Sequence, residues 1–127
     1  MPTIGELMTQ VLGRVQNSIP GVKSAMVASS DGLLLASTSF SEENERTAAM
    51  SASLISISRR ASEAMGKPRI NDVTIRSEEG YITLFSIGRD AVLVISTTSE
   101  QKNLGMVYLE GKGASNELTE ILKRSGL

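Results

Sequence analysis

The sequence contains no cysteine, no histidine and no tryptophan among its 127 residues. Without cysteine, disulfides, thiolate nucleophiles and cysteine-based metal sites are excluded. Without histidine, the chain lacks the commonest general base and the commonest nitrogen ligand for a metal. Two Tyr and two Phe leave little material for base stacking or an aromatic ligand cage. We therefore expect a protein that is not an enzyme, without catalytic, cofactor-binding or metal-binding residues.

The charges nearly cancel, with 13 Lys and Arg against 14 Asp and Glu. This balance argues against binding to nucleic acid or to a membrane surface through charge. The longest apolar run, Ala91 to Ile95, is far shorter than the roughly 20 residues of a membrane-spanning helix. The segment that follows Met1 lacks the basic start and apolar middle of a secretory signal. We expect one cytoplasmic domain over residues 1–127, without membrane insertion.

Apolar residues recur at helical spacing near the N-terminus and in the middle of the chain. A first helix is predicted over residues 4–17, because Thr3 and Glu6 form a capping-box pattern at its start. A second helix is predicted from Ser41, a favourable N-cap, to about Met65.

A third helix is predicted from Leu104 to the C-terminus, although its interior glycines leave open a break near residues 111–113. Alternating apolar residues and turn signals, such as Ser30-Asp31-Gly32, predict five strands. These strands cover residues 22–29, 33–37, 72–77, 81–87 and 91–96. The predicted order is therefore α-β-β-α-β-β-β-α.

Two apolar stripes run along opposite sides of the predicted second helix. The larger side chains form the stripe that we assign to the protein core: Met50, Leu54, Ile57 and Ala61. The opposite stripe is narrow and mostly small: Ala48, Ala52, Ile55 and Arg59. Small side chains allow a second helix to approach closely, so we assign this stripe to contact with another molecule. The alternative is an ordinary solvated face, since Ala and Ser are frequent there.

The strands differ in how many faces must be covered. Residues 91–95 are apolar at every position, so this strand belongs in the middle of the sheet. Residues 72–77 alternate between apolar and polar side chains, which suits an edge strand that invites pairing with another chain.

Catalytic motifs are nearly absent. Gly111-Lys112-Gly113 lacks the Ser or Thr and the glycine spacing of a phosphate-binding loop. Glu42, Glu43 and Glu45 are explained by the positive end of the helix dipole. The pair Arg59-Arg60 has two interpretations: an arginine supplied to a partner's phosphates, or a solvated or dimer-contact pair.

Several short stretches resemble the roadblock family, named for a dynein light chain, and in particular its small bacterial MglB-like members. The matching stretches are residues 19–22, 30–37, 79–82, 93–96 and 103–107. Together they extend the resemblance over residues 4–124, and the order of elements also agrees.

The resemblance implies a profilin-like α/β fold with one five-stranded antiparallel sheet in the order 2-1-5-4-3. Helices 1 and 3 would cover one face of the sheet and helix 2 the other. Family members dimerise by pairing their third strands and packing helix 2 on its twin. The implied dimer interface comprises Ala48, Ala52, Ile55, Arg59, Asp72, Val73, Thr74, Ile75, Arg76 and Ser77.

The function that the resemblance implies is regulatory. Family members bind Ras-like small GTPases, as activating proteins or as parts of GTPase-regulating complexes. We expect a homodimeric module that regulates such a GTPase, with Glu45, Arg46 and Arg60 at the partner-binding surface. The alternatives are a dimeric scaffold without effect on nucleotide chemistry, and an enzyme or small-ligand sensor on a profilin-like sheet.

Overall fold

Residues 1–125, which the computed structural model describes, form three helices and five strands in the predicted order. The helices are α1 (Ile4–Ser18), α2 (Asn44–Ala64) and α3 (Leu104–Arg124). The strands are β1 (Val22–Ser29), β2 (Leu34–Ser37), β3 (Asp72–Ser77), β4 (Gly80–Ile87) and β5 (Ala91–Thr97). The last two residues, to which the prediction of the third helix extended, lie outside the described residues.

The five strands form one antiparallel sheet in the order β2-β1-β5-β4-β3, which confirms the expected topology. β5 lies in the middle, with Ala91 to Ile95 all buried. β2 and β3 form the two edges of the sheet. The turn between β1 and β2 follows the prediction, since Gly32 adopts a φ of 90° that favours glycine.

The two faces of the sheet carry separate hydrophobic clusters. Leu93 and Ile95 point into a cluster that contains α1 and α3 residues. Val92 and Val94 point into the other cluster, which contains Ala48 and Ile55 of α2. This alternation along β5 confirms that α1 and α3 cover one face and α2 the other.

Local hydrogen bonds begin α1 as the sequence predicts. The Glu6 amide donates to the Thr3 hydroxyl oxygen at 3.1 Å, and the Thr3 amide donates to the Glu6 carboxylate at 3.4 Å. These two bonds form a complete capping box.

The start of α2 differs from the prediction, because Ser41 does not cap the helix. Its hydroxyl accepts a hydrogen bond from the Glu43 amide at 3.2 Å in a turn that precedes the helix. α2 begins at Asn44, whose buried side-chain amide donates to Ser37 Oγ at 3.2 Å and to the Ser39 carbonyl at 2.7 Å. A tertiary contact with the end of β2 therefore sets where α2 begins.

α3 is continuous through its glycines, which settles the break that the sequence left open. Gly111 faces the sheet, and a methyl group at this position would collide with the buried ring of Phe85. Gly113 faces open space instead. The close approach of α3 to β4 therefore requires glycine at position 111, whereas position 113 has no such requirement. Within residues 1–125, no helix is both long enough and apolar enough to cross a membrane.

Replacing Gly111 by Ala should lower the free energy of unfolding by about 1–3 kcal/mol, because the added methyl group overpacks the contact with Phe85. Gly113→Ala is the matched control in the same helix. It should raise the free energy of unfolding by about 0.5–1 kcal/mol, since alanine restricts the unfolded chain and favours the helix. Denaturant titration measures both values, and equal effects at the two positions would contradict this account of the α3–sheet contact.

Candidate partner-binding surface

Most residues of the two stripes of α2 lie in the environment opposite to the predicted one, although Leu54 packs against the cluster that contains Ala48 and Ile55, as the sequence predicts. Ala48, Ala52 and Ile55 were expected to contact a second molecule, yet only 0%, 4% and 3% of their surfaces are exposed. They face the chain's own sheet. Met50 and Ile57, which were assigned to the core, are 64% and 59% exposed. The predicted contact through Ala48, Ala52 and Ile55 is therefore corrected, because these side chains are already occupied.

The reason for this reversal is the size of the side chains. Small residues let a helix approach its neighbour closely, and here the neighbour of Ala48 is the sheet of the same chain. Helical periodicity revealed two stripes but not which of them meets the sheet. The signal in the sequence was side-chain size, because a stripe of small residues lets α2 lie close to the sheet and leaves the larger Met50 and Ile57 on the outer side.

An open apolar groove runs between α2 and the β3–β4 side of the sheet. Its volume is about 620 Å³. The apolar residues that line it are Ala49, Met50, Leu54, Ile57, Ile75, Ile82 and Leu84. An exposed apolar surface of this kind is typical of a site that another molecule covers.

β3 borders this groove and is an edge strand, as predicted. It pairs with β4 along its whole length, and within residues 1–125 no strand lies on its other side. Val73 packs against the α2-side cluster, and Ile75 lines the groove with 42% of its surface exposed. The open backbone edge and the apolar groove therefore adjoin one another.

The polar residues of β3 make contacts within the chain. The Thr74 hydroxyl lies 3.1 Å from the Tyr108 hydroxyl of α3. Arg76 lies over the Tyr81 ring, 5.9 Å from its centroid. The Ser77 hydroxyl accepts a hydrogen bond from the Glu79 amide at 3.1 Å, in the turn into β4. These contacts hold the edge strand in place and leave its outer backbone groups open.

Arg59 makes two hydrogen bonds to β4 and to the turn that follows it. Its Nη2 donates to Ser86 Oγ and to the Gly88 carbonyl, each at 3.0 Å. These bonds use one nitrogen of the guanidinium, and the role of Arg59 at a dimer interface stays a prediction.

The three predicted partner-binding residues are all exposed but do not lie together. Glu45 and Arg46 lie in the first turn of α2, where Arg46 pairs with Glu43 at 3.4 Å. Arg60 lies about 21 Å further along the helix axis. The structure therefore places these residues toward opposite ends of the exposed face of α2.

Asp72, at the start of β3, is the described group whose titration the structure clearly perturbs. Partial burial raises the pKa of this carboxyl above its ordinary value of 3.8, because burial disfavours the charged form. The positive charge of Lys112 on α3 acts in the opposite direction and is the smaller influence. The raised pKa means that the folded protein binds this proton more tightly than the unfolded chain does.

The stabilising contribution of protonated Asp72 is fully present below the ordinary pKa of 3.8 and is lost as the pH rises through the higher value of the folded state. Asp72→Asn should therefore raise the melting temperature at about pH 7 and have little effect at about pH 3, where both side chains are neutral. Thermal unfolding at the two pH values tests this. Glu78→Gln, in the exposed turn after β3, is the control, and a stabilisation by Asp72→Asn that is equal at both pH values would refute the explanation.

Solved structures with the same fold extend over nearly all of the chain. The gliding protein MglB of Thermus thermophilus is 20% identical with a TM-score of 0.86, covering 98% of this chain and 94% of that one. MglB of Myxococcus xanthus is 19% identical with a TM-score of 0.86, covering 98% and 93%. Profilin IA of Acanthamoeba castellanii is 12% identical with a TM-score of 0.56, covering 86% and 96%. These similarities show the profilin-like fold.

Comparison at the level of sequence identifies the family. No match is found among curated proteins. The sequence model of the Roadblock/LC7 domain matches residues 8–97, from α1 to the end of β5. This match covers well over half of the chain and confirms the family resemblance, and four of the five short stretches lie within it. The chain belongs to the Roadblock/LC7 domain family.

Proposed function

We propose that this protein is a cytoplasmic, non-enzymatic homodimer that regulates a Ras-like small GTPase, with residues 1–127 acting as a single roadblock-type domain. The observation that carries the proposal is the apolar groove beside the open edge of β3, in a member of the Roadblock/LC7 family. A surface of this kind is suited to binding another protein and offers no chemistry for a substrate.

The dimer forms through β3 and the outer face of α2. Two copies of β3 pair in antiparallel fashion about a two-fold axis, so that the open backbone groups of each edge are satisfied by the other. The same axis brings the two grooves together, and Met50 and Ile57 of each copy pack against the other copy. Ala48, Ala52 and Ile55 stay in the core of each subunit.

The GTPase binds across the paired α2 helices, where Glu45, Arg46 and Arg60 are exposed. Regulation needs no catalytic group from this protein. Preferential binding to one arrangement of the switch loops shifts the partner's equilibrium toward that arrangement. The resulting change in hydrolysis or nucleotide release depends on which arrangement is bound.

A second candidate function is a dimeric scaffold that joins larger complexes without changing nucleotide chemistry. The observation that favours it is a second open cavity at the β2 edge of the sheet, which is lined by Leu34, Leu35 and the fully exposed Phe40. A protein with binding surfaces at both edges can connect two partners.

Ile57→Arg should convert the dimer into a folded monomer, because it places a charge in the apolar groove that the second copy covers. Ser56→Arg is the matched control on the neighbouring flank of α2 and should remain dimeric. Ala52→Arg should instead unfold the protein, since Ala52 packs on the sheet. Light scattering over a dilution series, combined with circular dichroism, measures mass and folding. A wild type that is monomeric at every concentration would rule out the dimer.

At saturating concentrations, the protein should change the rate of GTP hydrolysis or nucleotide release of a Ras-like small GTPase from the same genome. Glu45→Lys should raise the concentration needed for half of this effect about tenfold, through loss of charge complementarity. Arg14→Glu on α1 is the control, because it reverses a charge on the opposite face. Binding without any change in either rate would favour the scaffold, and absence of binding would overturn both functions.

A further inference from the structure

A second cavity lies at the C-terminal end of α2, and its charge is strongly positive. Its volume is about 640 Å³, within the roughly 300–1,000 Å³ of ordinary small-ligand sites. It is lined by four arginines and a single carboxylate, a net charge of +3 in a chain whose overall charge is −1. The charged lining residues are Arg59, Arg60, Glu63, Arg69 and Arg89.

These arginines come from three separate parts of the chain. Arg59 and Arg60 lie on α2, Arg69 lies in the connection from α2 to β3, and Arg89 lies in the turn between β4 and β5. Within residues 1–125, none of the four forms an ion pair with an acidic side chain. Four positive charges around one cavity, without acidic partners, give it a positive potential that attracts anions.

Arg59 is held in position before any ligand arrives. Its two hydrogen bonds, to Ser86 and to Gly88, both use Nη2. The N–H groups of Nη1 and Nε remain outside these bonds, so the guanidinium can still donate to an anion. A fixed guanidinium loses less conformational entropy on binding, and its planar array of donors suits phosphate oxygens.

The backbone at Arg69 provides a second, independent indication. Its φ of 63° makes it the one residue other than glycine with a positive φ in residues 1–125. Arginine adopts this left-handed conformation at an energetic cost that glycine or asparagine would largely avoid. Backbone strain of this kind tends to occur at functional sites, where the side chain serves a purpose other than stability. Here the strained residue carries one of the converging charges.

We propose that this cavity binds a phosphate-bearing anion, with Arg59, Arg60, Arg69 and Arg89 as its ligands. Pro68 and Ile70 line the same cavity and provide an apolar wall for the organic part of such a molecule. The shared chemistry is a phosphate group, carried by a soluble phosphorylated compound or by a lipid headgroup.

This site is separate from the proposed dimer surface. The cavity is lined by Ser56, Arg59 and Glu63 of α2, whereas the apolar groove is lined by Met50 and Ile57 on another flank of the helix. Arg60 lines this cavity and also belongs to the proposed GTPase-binding surface, so the test of the phosphate site uses neither Glu45 nor Arg60.

Inorganic pyrophosphate is the soluble probe, in a buffer without phosphate or divalent cations. Calorimetric titration of the full chain should show saturable binding that weakens as salt is raised. The double variant Arg69→Asn/Arg89→Gln should bind about tenfold more weakly or worse, because two charge-assisted contacts are lost. The double variant Arg14→Gln/Lys23→Gln removes the same charge from other surfaces and should bind as the wild type does.

Phosphatidylcholine vesicles that contain phosphatidylglycerol form the second arm. Sedimentation with these vesicles, but no binding of pyrophosphate, supports the proposal with a lipid headgroup as the source, provided that the Arg69/Arg89 variant is lost from the pellet. Binding of pyrophosphate alone supports it with a soluble source. If neither probe binds, or if the two double variants weaken binding equally, the cavity is not a phosphate site.

Arg69→Asn alone separates a binding role from a structural one. Asparagine tolerates the left-handed backbone conformation, so the melting temperature should stay the same or rise while the affinity for the bound probe falls. A lower melting temperature with unchanged affinity would show that Arg69 serves the fold, and would remove it from the site.

Discussion

The burial of β5 on both faces of the sheet is the constraint on which the rest of the structure depends. Its residues Ala91 to Ile95 are all buried, so each face needs a covering layer. Five strands spaced about 4.8 Å apart span about 20 Å, whereas one helix with its side chains is about 10–12 Å across. Two helices, α1 and α3, therefore cover one face fully, while the single helix α2 covers about half of the other.

The two candidate sites both follow from this unequal coverage. Small side chains such as Ala48 and Ala52 let α2 lie close to the sheet, and the larger Met50 and Ile57 are left on its outer side. The uncovered sheet beside β3 then forms the apolar groove. At the far end of the helix, the chain must turn back toward β3, and this connection brings Arg69 toward Arg59. One surface is apolar and the other basic, and α2 contributes to both.

The sequence predicted the edge position of β3 and the central position of β5 because alternation reports directly how many faces of a strand are covered. It did not predict which stripe of α2 meets the sheet, since the periodicity of a helix is the same for either orientation. Ser41 was a favourable N-cap by residue type, yet the contacts of Asn44 with Ser37 and Ser39 moved the helix start. The sequence did not predict the basic cavity, because the arginines that line it are up to thirty positions apart in the chain.

The sequence by itself determined the number, type and order of the elements, the capping box of α1 and the family. These features depend on residues within a few positions of one another, or on short stretches in a set order. Only the tertiary structure shows that α3 is continuous through Gly111. Phe85 of a distant strand fills the space that a side chain at this position would need, which explains why a glycine stands inside the helix. It also decided which face of α2 is exposed and which arginines line one cavity. The hydrogen bonds within a helix are the same for every rotation about its axis, so contacts between distant residues determine which face meets the sheet.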